Sequence, residues 1–507
     1  MQYVLDVGTV DAQIVKGSLR LADRLTAVED PAKQRTLERK LSLTDGLMHF
    51  VNRADGSMPA GLVPRLVRRL KKRGHDVEIR EQPVQAMTPI RPDYLIGTDL
   101  REYQTSAIDI ALASRRGVLW LATNAGKSYV AAALCGKIVR EAKGTVLVIV
   151  PTGTLLYQTS EDIAKLLGRD VKVEIAGDGH RPGKPDILVG TYQTVSQALS
   201  SRSKSYSTIR HFVANCRGIL VDEGHHSASP SHVKILRSAE KAVFRLGLTG
   251  TAKNRDKAIN VKADIKAKAH LRQMECYLGP ILAHVSNEDL IELGVSAKPT
   301  IHVVSDRDAF GPDIRTPVPK SAFGGRRREN IYQKVFNVAV IGNRKLNKTI
   351  VKVAAALLTQ SRPPFIFSHS VDHLHALSEI ATRLNVPHKV LYGNSPIAVR
   401  QKILRRFAKR QDFAIFCSTI FDEGVSIPAI RAVVFAGARK TAREVLQRIG
   451  RGLRKKDGDN TVAVVDFAMP HSPMLNKHFK SRLASYEGEG FKVRWLKHAT
   501  ELHTYAF

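Results

Sequence analysis

Cysteine is scarce. Cys135, Cys216, Cys276 and Cys417 are scattered through 507 residues, with no CxxC pair and no histidine at zinc-ligand spacing. That pattern argues against a disulfide framework or a zinc site and suits a reducing compartment. No apolar run reaches the roughly 18 residues of a membrane span. The amino terminus, MQYVLDVGTVDAQIVKG, lacks a charged segment followed by an apolar stretch, so the chain is expected to be neither exported nor embedded but cytoplasmic. Low-complexity tracts and short-period repeats are also missing, which sets aside solenoids and arrays. Acidic residues are in deficit, 47 Asp and Glu against 79 Lys and Arg, for a formal charge of +32. Such an excess favours polyanionic partners, nucleic acid first, through counterion release and long-range steering. A basic, solubilising surface would give the same number, so the motifs must decide.

What is present is a folded composition, 43% hydrophobic and 25% charged, in a chain long enough for several domains. Residues 1–90 mix short alternating strands with a basic helix expected from Val63 to Arg73, after the turn-like DGSMPAG. This reads as a small α+β accessory module, expected to bind DNA. Across 91–262 the strand candidates GVLWLAT, GTVLVIVP, DILVGTY, GILVDEG and FRLGLTG alternate with helical patterns, as in a parallel sheet covered by helices. Residues 263–330, with GGRRREN, carry less strand periodicity and are expected to be a linker or insertion. The alternation resumes over 331–470 in PPFIFSHS, HKVLYGN, FAIFCST, RAVVFAG and TVAVVDF. A second α/β domain is expected there, and 471–507 reads as a basic tail to which no chemistry is assigned.

In VLWLATNAGKSYVAAAL an apolar strand enters the small-residue loop Thr123, Asn124, Ala125 and Gly126, and Lys127 and Ser128 then open an Ala-rich helix. Loop N–H groups and a helix N-terminus suit phosphates, Lys127 can reach the β/γ oxygens, and Ser128 can ligate Mg²⁺. ATP and Mg²⁺ are therefore the expected cofactors. The strict GxxxxGK[ST] pattern is broken, because Leu121 holds the place of its first glycine. Taken alone, a chance helix start explains the loop as well.

About 95 residues further on, ILVDEGHH delivers Asp222 and Glu223 at a strand end. Asp222 is expected to hold Mg²⁺ and Glu223 to orient and deprotonate the attacking water. A bare Asp-Glu pair is common in surface turns; its distance from the loop and the intervening strands favour the catalytic reading. In QRIGRGLR, Gln447, Arg451 and Arg454 recur at spacings of four and three, one face of a helix. The two arginines are expected to act as fingers on the γ-phosphate, against the plainer reading of a solvated basic helix.

The ordered set LREYQTSA, ATNAGKS, VPTGTLLYQ, VGTYQTV, DEGHH, GLTGTA, FIFSHS, CSTIFDEGVSIP and QRIGRGLR resembles the motifs of superfamily 2 helicases over residues 98 to 470. Within that superfamily the chain is similar to phage recombination helicases of the UvsW type, with XPB-like and RecG-like relatives. GSMPAGLVPRLVRRLKKRG resembles part of the UvsW-type accessory domain. The resemblance implies an α/β fold of two tandem RecA-like parallel-sheet domains behind a small α+β domain, and an ATP-dependent DNA helicase or translocase acting on branched DNA.

It also implies roles for single residues. Gln104, with Arg101, would read adenine, and Gly424 would approach the nucleotide from the second domain; Ser426 stands where relatives often have Asp, which leaves a ribose contact in doubt. His225, Thr249 and Thr251 would couple nucleotide state to grip on the strand. Pro151, Thr152, Gln158, Thr191 and Gln193 on the first domain, and Ser368, His369, Ser418 and Thr419 on the second, would contact the nucleic-acid backbone, positioning it without reading sequence. A monomeric motor is expected, working in the host cytoplasm if phage-encoded. An RNA helicase on the same engine stays open, as does a restriction-type motor carrying a nuclease, for which Pro185-Asp186 is a weak imitation of a nuclease motif. A non-catalytic binding module would require Leu121 and Asn124 to have abolished hydrolysis.

Overall fold

The computed structural model describes residues 2–29, 47–83, 86–250, 261–305, 332–393, 395–410, 412–418, 430–437 and 460–504. It divides into two compact units, Met1–Val285 and Ser286–Phe507.

The first unit opens with strands β1 (Gln2–Val7) and β2 (Asp11–Lys16), helix α1 (Leu19–Thr26), the short strands β3 (Val28–Glu29), β4 (Leu47–Met48) and β5 (Ser57–Pro59), helix α2 (Val63–Lys71) and strand β6 (Asp76–Glu81). The sheet order is β5-β2-β1-β6, with β6 parallel to β1. Tyr3 and Leu5 alternate inward, as do Ala12 and Ile14, and meet Ala22 and Leu25 of α1 and Leu66 and Leu70 of α2. These are the two-residue and 3.6-residue periods in one core.

A seven-stranded sheet follows: β7 (Arg116–Leu121), β8 (Val146–Val150), β9 (Val173–Ala176), β10 (Ile187–Thr191), β11 (Gly218–Asp222), β12 (Phe244–Thr249) and β13 (Ile281–Val285). All its pairings are parallel, in the order β13-β7-β12-β11-β8-β10-β9. Central strands such as VLVIV are buried along their whole length, as strands covered on both faces must be. The helices are α3 (Glu102–Ser114), α4 (Lys127–Arg140), α5 (Gly153–Leu167), α6 (Tyr192–Ser200), α7 (Ser207–Asn215), α8 (Pro230–Ser238) and α9 (Val261–Leu278).

Residues 261–285, read from sequence mostly as linker, instead supply α9 and the edge strand β13. The charges of KADIKAKAHLRQ hide the helical period, and a five-residue edge strand leaves little signal. Helix α9 also seats the accessory module. Arg65 of α2 holds Glu275 through two bonds of 2.7 and 2.6 Å, and a side chain on Gly61 would run into the Glu275 carbonyl. Arg65 is thus committed to packing, and Arg69 donates to the Leu25 carbonyl. Arg68, Lys71, Lys72 and Arg73 remain exposed.

The second unit carries helix α10 (Asn287–Glu292), strand β14 (Lys298–Val304), α11 (Arg344–Thr359), β15 (Pro364–Phe367), α12 (Val371–Arg383), β16 (His388–Leu391), α13 (Ile397–Arg410), β17 (Ala414–Cys417), β18 (Ala432–Phe435), β19 (Thr461–Phe467), α14 (Pro473–Gly488) and β20 (Lys492–Leu496). Its parallel sheet runs β16-β17-β15-β18-β19-β14-β20. Ile366, Phe416, Val434 and Val465 serve the core on one face, while Phe365, Ile415, Val433 and Val464 serve the other. The segment 471–507 is structural here, since α14 and β20 complete this unit. Arg482 of α14 makes two 2.8 Å bonds to Asp466 of β19, and the Tyr486 hydroxyl donates a third at 2.8 Å. All three residues are buried. Sequence periodicity reports the charge of this helix, not the single buried carboxylate that absorbs it.

Candidate active site

The sheet order places β7, β12 and β11 side by side, so their carboxyl ends bring residues 122–126, Thr249–Gly250 and Asp222–Glu223 to one edge. Open parallel sheets bind ligands there. In the loop after β7, Asn124 and Gly126 have φ of 74° and 80°. Asn is among the few side-chain-bearing residues that enter this left-handed region readily, so Asn124 keeps the turn without a glycine at that position. Leu121 is the buried last residue of β7, so the place of the first glycine belongs to the strand.

Gln104 is 1% exposed. Its amide donates to the Ala125 carbonyl at 2.8 Å, its oxygen accepts from the Arg101 N–H at 2.9 Å, and the Tyr103 hydroxyl also donates to Ala125 at 3.1 Å. The residue expected to read adenine thus braces the loop after β7. A side chain on Gly126 would strike the Gln104 amide. Lys127 leads α4, and its Nζ lies 2.9 Å from where a Cβ on Gly250 would sit, which brings the ammonium to the carboxyl end of β12.

Asp222 ends β11, and its Oδ1 accepts the Glu223 N–H at 2.9 Å. Burial, then the adjacent Glu223 carboxylate, pushes its pKa up to about 6, while Lys127 pulls it down. A carboxylate so short of countercharge suits a hard divalent cation, and Mg²⁺ is commonly held by one or two carboxylates together with substrate phosphates. Glu223 has φ 51°, a conformation that costs a residue of this kind about 1–3 kcal/mol and recurs at active sites. Its Oε2 lies 3.1 Å from His225 Nδ1 and accepts from Thr249 Oγ1 at 3.4 Å; Thr249 Oγ1 is 3.0 Å from His225 Nδ1. The Glu223 carboxylate is thus held from both β11 and β12.

Lys127, Asp222, Glu223, His225 and Thr249 therefore come together as the sequence suggests. Ser128 is exposed; near it, the Asp162 carboxyl has its pKa raised by burial above all, with the Ser128 hydroxyl acting to lower it. Asp162, on α5, carries no sequence motif and was not foreseen. Thr251, Thr419, Gly424, Gln447, Arg451 and Arg454 lie outside the described residues.

Comparison with known proteins gives two family models: "Type III restriction enzyme, res subunit" over residues 97–254 and "Helicase conserved C-terminal domain" over 346–456. The ATP-dependent DNA helicase uvsW of Enterobacteria phage T4 is 26% identical over 372 residues, 72% of this chain and 67% of that protein. The DNA 3'-5' translocase XPB2 of Sulfurisphaera tokodaii is 26% identical over 398 residues, 75% and 84% of the two chains. This chain is a superfamily 2 helicase. As such it is an ATP hydrolase working on nucleic acid. A solved structure of the DNA-bound type ISP restriction-modification enzyme LlaBIII, at 14% identity and TM-score 0.58, covers 86% of this chain and 35% of its own and shares the fold.

The expected strand contacts of the helicase fall into two groups. Pro151 and Thr152 precede α5, Gln158 lies within it, and Thr191 and Gln193 sit at the start of α6; the Thr152 and Thr191 hydroxyls cap these helices, accepting from Leu155 and Thr194. Gln193 is exposed. In the second unit, Ser368 is 2% exposed with its hydroxyl 3.0 Å from His373 Nδ1, and Ser418 is 7% exposed. The Ser368 hydroxyl thus faces inward to His373, and Ser418 donates its backbone N–H to the Leu391 carbonyl at 3.1 Å. The His369 ring packs against Phe336 at a tilt of 48°, with ring centroids 4.0 Å apart. Asp186, the acid of the nuclease-like pair, accepts the Lys172 N–H at 2.8 Å and so serves the start of β10.

Proposed function

We propose that this helicase couples ATP hydrolysis to movement on branched DNA, rewinding or migrating forks and junctions in recombination, repair or replication restart, as a single chain in the cytoplasm of a phage host. The observation that carries it is the constellation of Lys127, Asp222, Glu223, His225 and Thr249 at one sheet edge. The names of the uvsW and XPB2 relatives support DNA as the track. Lys127 would neutralise the β/γ phosphates, and Glu223, fixed by His225 and Thr249, would orient water and take its proton. Asp222 would hold Mg²⁺, which when bound offsets phosphate charge. Gln447, Arg451 and Arg454 keep the role of completing the phosphate site that the family resemblance implies. A synthetic four-way DNA junction incubated with protein and ATP should convert to duplex or forked products, and the same junction in RNA should not. Conversion of the RNA junction alone would replace this reading with an RNA helicase.

A further inference from the structure

The turn that carries Thr191 and Gln193 and the turn that carries Glu223 belong to different strands, yet a line of neighbouring rings, running through the exposed His226, joins them. Tyr192 opens α6 between the two expected strand contacts. Its ring stacks on His232 of α8 with centroids 4.8 Å apart and planes 28° from parallel. His232 faces His226 at 6.4 Å and 27°, and His226 abuts His225 at 4.0 Å. His225 Nδ1 lies 3.1 Å from the Glu223 carboxylate and 3.0 Å from Thr249 Oγ1.

The middle of this line is held in place. His232 is buried, and its Nδ1 hydrogen-bonds Ser229 Oγ at 2.8 Å. Ser229 is the N-cap residue of α8 but makes no side-chain cap bond, so its hydroxyl orients this ring where serine ordinarily satisfies a helix N–H. Burial, then His225, lowers the His232 pKa to about 4, which keeps the ring neutral and its stacking unchanged near pH 7. A hydrophobic core that includes Val195 and Ala198 of α6 and Ile235 and Leu236 of α8 clamps the two helices. A shift at the amino end of α6 must therefore move His232 with it, because packed interiors deform little.

We propose that the rings of Tyr192, His232, His226 and His225 are the link through which a DNA strand seated at the start of α6 sets the orientation of Glu223, making Tyr192 and His232 positioning residues for DNA-stimulated hydrolysis. This rests on the proposed function, since it presupposes stimulation by DNA. Coupling needs an element whose arrangement both sites bias, and this line touches both.

The test compares ATP hydrolysis with and without saturating branched DNA in wild type, His232→Ala, His232→Phe and Tyr192→Leu, with DNA affinity and melting temperature measured alongside. The expected result for His232→Ala is a stimulation factor reduced about tenfold, within the range of coupling mutations, with basal rate and DNA affinity within about twofold of wild type. His232→Phe, which keeps a ring, should recover most of the stimulation. If His232→Ala does not fold, Tyr192→Leu decides from the other side of the contact. Unchanged stimulation in a folded Ala or Leu variant, an equal loss of basal and stimulated rates, or a Phe variant as defective as Ala would overturn the link alone. A wild-type protein that DNA does not stimulate would overturn the proposed function and the link together.

Discussion

At the scale of single residues, the proposed catalysis hangs on a few charges at one sheet edge. Lys127→Ala should lower ATP turnover by about 10²-fold or more, the loss typical when a group stabilising transition-state charge is removed. DNA binding should stay near wild type; normal turnover, measured by phosphate release, would refute the site. Lys127, Asp222 and Glu223 were legible in the sequence as candidates because the proposed chemistry needs those functional groups at a helix start and a strand end. The sequence disclosed less about what holds them. Gln104 bracing the Ala125 carbonyl and Asp162 lying beside Ser128 join elements far apart in the chain, and no local pattern announces them. Asn124 is the reverse case: a departure from the motif becomes intelligible once its left-handed conformation is seen.

At the scale of elements, alternating apolar strands and helices made both parallel sheets legible, and the pieces at their margins were missed. Helix α9 and helix α14 carry their charges in ways that conceal which face is buried. Truncation at residue 470 should therefore leave the second unit unfolded, where a dispensable tail would leave it intact. Arg482→Ala strands a buried carboxylate and should cost about 3–5 kcal/mol, read from urea unfolding of the full chain. Acid sensitivity has its own elements. His302 of β14 and His373 of α12 are buried, and burial above all lowers their pKa to about 4 and about 3. The unfolded chain takes up these protons near pH 6.5 and the folded chain does not, so their neutral burial is fully tolerated above that pH. Stability is then lost as pH falls toward 4, by about 2 kcal/mol per group at pH 5. The melting temperature should drop between pH 7.5 and 5, and His302→Leu should make the drop shallower; an identical pH profile in that variant would contradict this assignment.

At the scale of the whole molecule, a formal charge of +32 acts through phosphate neutralisation. If six phosphates are neutralised, log affinity for DNA should fall against log salt with a slope of about −5. Replacing Arg68, Lys71, Lys72 and Arg73 by Gln should flatten that slope by about 0.9 for each phosphate these cations neutralise, whereas an unaltered slope would remove α2 and its following turn from the DNA path. ATP hydrolysis by the purified chain, measured without nucleic acid and with single-stranded DNA, duplex, a four-way DNA junction and RNA, reaches furthest, with Glu223→Gln as the control for contaminating activity. Hydrolysis stimulated most by the junction and abolished in Glu223→Gln is the expected result. Hydrolysis that no DNA stimulates, or that survives in Glu223→Gln, would contradict a DNA-remodelling motor driven from this site.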